Sequence, residues 1–369
     1  MVPGGARSPA PVPLLGARVP DLPARLRSWS LARQRLTQPA ASPIEALQAV
    51  AGVYSSHPSA PLSLWLRTRR LSAGDFRAME AARATVRLPA MRNTVFLLPA
   101  ATAHISFRAT AMPPEVLERR LVSRGLDLQD YRALTPRILS AASEPRTPAE
   151  LARLARYSGA QLGTVLRMLS YEGLLLRVGA HSLRADSLRY VATRVWLGRS
   201  LGGEDGDQTR AEALAQLAAT YLSAFGPARA SDFAWWAGVT VAKARQAIAR
   251  HATIDLADGL LLLKGDEAAF ERTKAPTRSV LVLPKWDAYT MGYAPDGRAR
   301  LVDRDLQPRV YPGMGDGLPV ILVDGQVVGL WTAAKGADPV IQPFERIGPR
   351  TRAAVATQLA KAVRFLDNA

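Results

Sequence analysis

The chain has no cysteine. That excludes disulfides, a thiolate nucleophile and Cys-built zinc sites. Its four histidines, His57, His104, His181 and His251, are scattered without metal-like spacing, so neither a metal nor a cofactor is expected. No apolar run approaches the roughly 20 residues of a membrane-spanning helix, and no membrane partner is expected. Gly202-Gly203 and Gly313–Gly317 are not phosphate loops, because no Gly-Lys-Ser/Thr follows; a Gly-x-Ser-x-Gly elbow is missing too. The first twenty residues are rich in Pro, Gly and Ala but lack the apolar core of a secretory leader. Met1–Val19 therefore reads as a flexible tail and the protein as cytoplasmic.

What the chain has is positive charge and arginine. It carries 48 Lys+Arg against 31 Asp+Glu over 369 residues, a formal charge of +17. Only Lys243, Lys264, Lys274, Lys285, Lys335 and Lys361 are lysine. Arginine engages phosphate in a bidentate fork and stacks on bases, so a polyanion is the expected partner, double-stranded DNA first. A GC-rich coding bias, which raises Arg and Ala together, is the competing account. With 48% apolar residues the chain can bury several cores, and its length calls for two to four units.

The middle of the chain repeats. Thr147-Pro-Ala-Glu150 opens a helix with an N-cap, proline at the first helical position and glutamate at the third. Gln161–Tyr171 follows as an amphipathic helix, and Leu174–Gly179 as a strand. The order helix, turn, helix, hairpin predicts a winged helix. It recurs at Ala230–Gly238, Val241–His251 and Ile254–Lys264, with Lys243 and Arg245 projecting from the second helix, the one that meets DNA grooves in this geometry. Winged helices also mediate protein contacts. A third copy is expected at the N-terminus, with helices at Leu22–Leu36, from Ser42 and at Leu62–Arg70, and strand-like Thr85–Leu98 interrupted by Pro89. Thr277–Phe344 is rich in short strands and turns, with Asp324-Gly325 between apolar runs as a hairpin signal. Gly348–Leu366 closes as an amphipathic helix.

The expected fold class is therefore α+β: three tandem winged-helix units, then a small β-barrel-like C-terminal domain with a terminal helix. The expected boundaries are a tail at 1–20 and units at 21–100, 101–200, 208–266 and 277–369.

Several passages together resemble the AlkZ-like bacterial DNA glycosylases. Leu283-Pro-Lys-Trp-Asp-Ala-Tyr-Thr-Met-Gly-Tyr293 and Val323–Trp331 look like that family's C-terminal domain. Tyr221–Gly238 is similar to its third winged-helix signature, and Arg92–Pro99 to its first wing. Ala51–Arg67 sits where its active-site segment would be. The resemblance implies a basic concave cleft around duplex DNA, acting as a monomer in the cytoplasm and on the nucleoid. It also implies excision of alkylated or cross-linked purines, a DNA-repair hydrolase activity. The best-described members carry Gln-aliphatic-Gln or Gln-aliphatic-Asp in the active-site segment, a polar pair that places the water attacking C1′.

This chain departs from that pattern. By position, Tyr54 and Ser56 stand where the polar pair would be, with Ser55 between and His57 next. Serine can hold a water; tyrosine lacks the paired donor and acceptor of an amide; His57 could serve as a base. Either these residues form a modified catalytic site, or Tyr54 packs in the first unit and Ser55–Pro58 is a loop. Asp287, in the C-terminal motif, would face the cleft by resemblance and stabilise a cationic transition state or fix an arginine; a salt bridge or turn cap is the other reading. Arg67, Arg92, Lys243, Arg245 and Lys285 are the expected phosphate contacts on a shared concave face, with Trp286 as a stacking platform. Two functions compete: a glycosylase, and a non-catalytic winged-helix DNA-binding protein in which Tyr54-Ser55-Ser56 has replaced the catalytic motif.

Overall fold

Capping chemistry sets many of the helix starts in the computed structural model, which describes residues 22–179, 182–185, 189–202, 208–275, 279–313 and 315–367. The tail expected at 1–20, His181, the expected boundary at 277 and most of the Gly202–Asp207 run lie outside them. Thr147 accepts from the Glu150 amide while the Glu150 carboxylate accepts from the Thr147 amide, opening the helix Pro148–Leu154. The same box, Ser72 with Asp75 and Thr209 with Glu212, opens Ala73–Ala81 and Arg210–Phe225. Such a cap contributes about 1 kcal/mol. Gly238, at φ 76, ends Ala230–Ala237 in the left-handed conformation that glycine adopts without penalty.

Strands β1 (Val53–Tyr54), β2 (Thr85–Pro89), β3 (Val95–Pro99), β4 (Leu175–Val178) and β5 (Arg189–Ala192) form one antiparallel sheet in the order β1-β3-β2-β4-β5. The hairpins of the first two repeats are thus not independent. They share a sheet through a single pairing, Arg87 opposite Arg177. Val86, Leu88, Leu97, Leu98 and Leu176 are buried in it. Pro89 ends β2, as a residue without an amide donor should.

Strands β6 (Thr253–Asp255) and β7 (Leu261–Leu263) pair around Asp258-Gly259, both at positive φ. Strands β8 (Val280–Leu283), β9 (Val320–Val323), β10 (Gln326–Thr332) and β11 (Val340–Pro343) follow in an open meander, order β11-β10-β9-β8. The barrel-like domain expected here is therefore an open four-stranded sheet, not a closed barrel. The helix Pro349–Asp367 packs along β8, burying Val355 and Leu359, and its Gln358 accepts from the Val282 amide at 3.2 Å. The helix covers an edge that barrel closure would otherwise have had to remove. Three helices that sequence periodicity did not single out, Ala103–Thr110, Pro114–Ser123 and Leu128–Ala141, follow β3. Leu121, Leu134 and Ile138 of the latter two join Val165 and Leu169 in a second core. Among the described residues, no helix is long and apolar enough to cross a membrane.

Candidate active site

A cavity of ≈ 400 Å³ opens where β1, β2, β4 and the helix Leu162–Tyr171 converge under the C-terminal unit. It falls in the range of small-ligand sites, about 300–1,000 Å³. Tyr54, Ser55 and Ser56 supply one wall, Arg87 and Arg177 the sheet floor, Arg167 the helix side and Trp286 the C-terminal lip.

Each position has a local cause. Tyr54 ends β1, held by its pairing with Phe96, and its ring packs on Phe96 at 4.6 Å and toward Trp286 at 6.4 Å. Its hydroxyl interacts with the side chains of Thr94 and Arg92; burial raises its pKa, and nearby Arg92 acts against that. The phenol is neutral at pH 7 and available as a donor. Ser55 is fixed by its amide, which donates to Val95 at 3.0 Å. Trp286 sits at φ 58, with its indole NH donating to Asp316 at 2.9 Å and the Lys285 ammonium over its ring at 4.3 Å. Lys285 also pairs with Asp316 at 3.1 Å. Trp286 thus presents a ring braced from behind.

Asp287 is not part of this cavity. It is fully buried and faces Arg67, also fully buried, in a two-pronged pair of 2.7 and 2.8 Å. Ser63 donates to the same carboxylate at 2.7 Å and the Tyr289 amide at 2.9 Å, so Asp287 also caps the helix Ala288–Met291. The carboxylate expected to face the cleft is a core staple between the helix Ser59–Arg67 and the C-terminal unit. Arg67, expected to meet phosphate, has no exposed surface with which to do so, and the shared basic face drawn through Arg67 is corrected accordingly. The reason is valence: a buried guanidinium needs a carboxylate partner, and Asp287 supplies it from 220 residues away.

His57 is likewise turned away. Its Nε2 lies 3.0 Å from the Arg87 guanidinium, which can only donate, so Nε2 accepts. Its Nδ1, 3.1 Å from the Ser182 carbonyl, then carries the proton. With both nitrogens engaged, His57 orients Arg87 and is not a base facing the cavity. Arg92 lies in the β2–β3 turn at φ 54, its guanidinium 4.1 Å over Trp235. Lys243 and Arg245 are exposed on Val241–Ile248, and Lys243 borders a separate groove with Arg210 and Arg250. Trp65 stacks on Phe365 at 5.8 Å.

Sequence reasoning missed Arg87, Arg167 and Arg177. A signal existed for two of them: Val86-Arg87-Leu88 and Leu176-Arg177-Val178 each place an arginine inside an apolar strand.

A family model described as DNA glycosylase AlkZ-like matches residues 44–365. The chain belongs to the AlkZ-like DNA glycosylase family. Its partner is accordingly DNA and its setting DNA repair. Among solved structures it is similar to DNA glycosylase AlkZ of Streptomyces sahachiroi, with a TM-score of 0.76 at 20% identity, covering 93% of this chain and 97% of that one. No curated protein matches. At that identity the structural likeness speaks for the mixed α/β fold. Among the described residues no group of three or more His, Cys, Asp or Glu could hold a metal ion.

Proposed function

We propose that this member is an active DNA N-glycosylase. It excises alkylated or cross-linked purines from duplex DNA, acting as a monomer in the cytoplasm and on the nucleoid. Winged-helix units at 21–100, 101–200 and 208–266 would grip the duplex, and the C-terminal unit at 277–369 would close over the lesion. The observation that carries this reading is the meeting of Tyr54, Ser56 and Trp286 at one cavity. Trp286 offers a face for an extruded base. Ser56 can hold a water and Tyr54 can donate to it or to the sugar. Positioning a water at C1′ is the main demand of the reaction, because the glycosidic bond breaks through an oxocarbenium-like centre.

The test is release of modified purines from duplex, read as strand breaks after alkali at abasic sites. Breaks at the lesion support the reading. A second reading, a non-catalytic damage binder, is favoured by Tyr54-Ser55-Ser56 standing in place of an amide pair. Tight binding to lesion duplex without any break would select it.

DNA affinity should be steeply salt-dependent. Each neutralised phosphate contributes a slope of about −0.9 in log K against log salt, and five or so contacts are expected. Lys243→Ala and Arg245→Ala should each flatten the slope by about 1 and weaken all duplexes alike. Fluorescence anisotropy across a salt series measures both; an unchanged slope removes that helix from the interface.

A further inference from the structure

The turn between β2 and β3 is strained. Arg92 and Asn93 stand consecutively in the left-handed conformation, at φ 54 and 56. Asparagine enters that region readily; arginine does not. The surroundings hold it there. The Arg92 guanidinium lies 4.1 Å over Trp235 of the helix Ala230–Ala237. Gly238, just past that helix, sits so near the Arg92 backbone that a Cβ would come within 3.0 Å of it. A Cβ at Gly315 would meet the Arg92 guanidinium at 2.8 Å. Tyr171, at the end of the helix Leu162–Tyr171, donates its hydroxyl to the Asn93 carbonyl at 3.3 Å. The Ala90 amide closes the turn on the Thr94 carbonyl at 2.9 Å. Elements far apart in the chain thus fix one tight turn. Strain that surrounding packing sustains in this way clusters at functional sites.

What the turn delivers is Asn93. It is exposed and lines the same cavity as Tyr54, Ser56 and Trp286. Among the described lining residues it has the only carboxamide, and no described residue bonds that group. A carboxamide carries a donor and an acceptor side by side. Phosphate and deoxyribose within a strand offer acceptors only. The Watson–Crick edge of a purine offers the complement: O6 with N1–H in guanine, N1 with the N6 amino group in adenine. Half a turn of the amide serves either. Alkylation at N7 or N3 leaves that edge intact, and extrusion frees it from the opposite strand. Enzymes that act on extruded bases read them along it while aromatic rings cover the face. Resting on the glycosylase reading above, we propose that Asn93 is a specificity-determining residue that reads the Watson–Crick edge of the extruded purine while Trp286 covers its face.

Glycine is the discriminating substitution, because it keeps the positive φ and removes only the amide. By anisotropy, Asn93→Gly should bind duplex carrying a tetrahydrofuran abasic analogue, which has no base to read, within about twofold of the parent. It should bind duplex carrying 2′-fluoro-N7-methylguanine, whose glycosidic bond resists cleavage, about tenfold more weakly, the scale of one lost bidentate contact to a base. Single-turnover release of N7-methylguanine and of N3-methyladenine should each fall by a similar factor. Asn93→Asp also suits the turn but can only accept when ionised. It should therefore retain release of the guanine, which presents N1–H beside its 2-amino group, better than release of the adenine. Parental binding and release by Asn93→Gly, equal weakening on the abasic and lesion duplexes, or a guanine-to-adenine ratio unmoved by Asn93→Asp overturns the proposal and leaves the glycosylase reading standing. If the parent releases neither base, that reading falls, and the two binding measurements with Asn93→Gly still decide whether Asn93 reads the base.

Discussion

Asp287→Ala should destabilise the protein by about 3–5 kcal/mol, because it strands a buried guanidinium. Arg67 and Asp287 both have 0% exposed side chain. The carboxylate is engaged by both prongs of Arg67, by Ser63 and by the Tyr289 amide. Alanine removes all four acceptor contacts at once and leaves Arg67 charged in an apolar interior. Asp287→Asn restores the volume but not the charge and should lie between. Replacing both partners by apolar residues of similar size, Arg67→Met with Asp287→Leu, should recover much of the loss, since it is the orphaned charge that is expensive. Urea denaturation followed by circular dichroism reads the effect. The carboxylate would return as a catalytic candidate if Asp287→Ala melted like the parent yet lost excision.

Tyr54→Phe and Ser56→Ala should each lower excision by roughly 10²-fold, the usual scale for losing one positioned proton-transfer or hydrogen-bonding group. Duplex affinity should stay within about twofold, because the loss falls on the transition state. Tyr54→Phe keeps the ring that packs on Phe96, so folding is spared and only the hydroxyl is removed. Burial holds that phenol above its ordinary pKa, so it remains protonated through the neutral range. Its contribution should therefore be flat from about pH 6 to 9, whereas a tyrosinate nucleophile would make the rate climb. Single-turnover excision with parallel binding measurements separates the two quantities. If both variants excise at the parental rate, the hydroxyls of Tyr54 and Ser56 are structural and the damage-binding reading takes over.

Much of the local structure was legible because its causes are local. Thr147-Pro-Ala-Glu150 contains its own capping box, and Asp324-Gly325 its own turn: both residues sit at positive φ, 50 and 79. The Leu283–Tyr293 passage carried the family likeness, and Tyr54 and Ser56 were placed by position within the Ala51–Arg67 segment. These are features that a few neighbouring residues settle among themselves.

What the chain determined by itself was its class and partner: a cysteine-free, arginine-rich polypeptide with capped helices and hairpins, drawn to a polyanion by net charge. Only tertiary structure decided the chemistry of individual charges. Asp287 reads as a cleft carboxylate until Arg67 arrives from another unit and buries it; His57 reads as a base until Arg87 and Ser182 occupy both ring nitrogens. Arg87 and Arg177 are 90 positions apart, and only the pairing of β2 with β4 sets them face to face. Ionisable side chains behave according to the charges and solvent within a few ångströms, and those neighbours are chosen by packing, not by sequence distance.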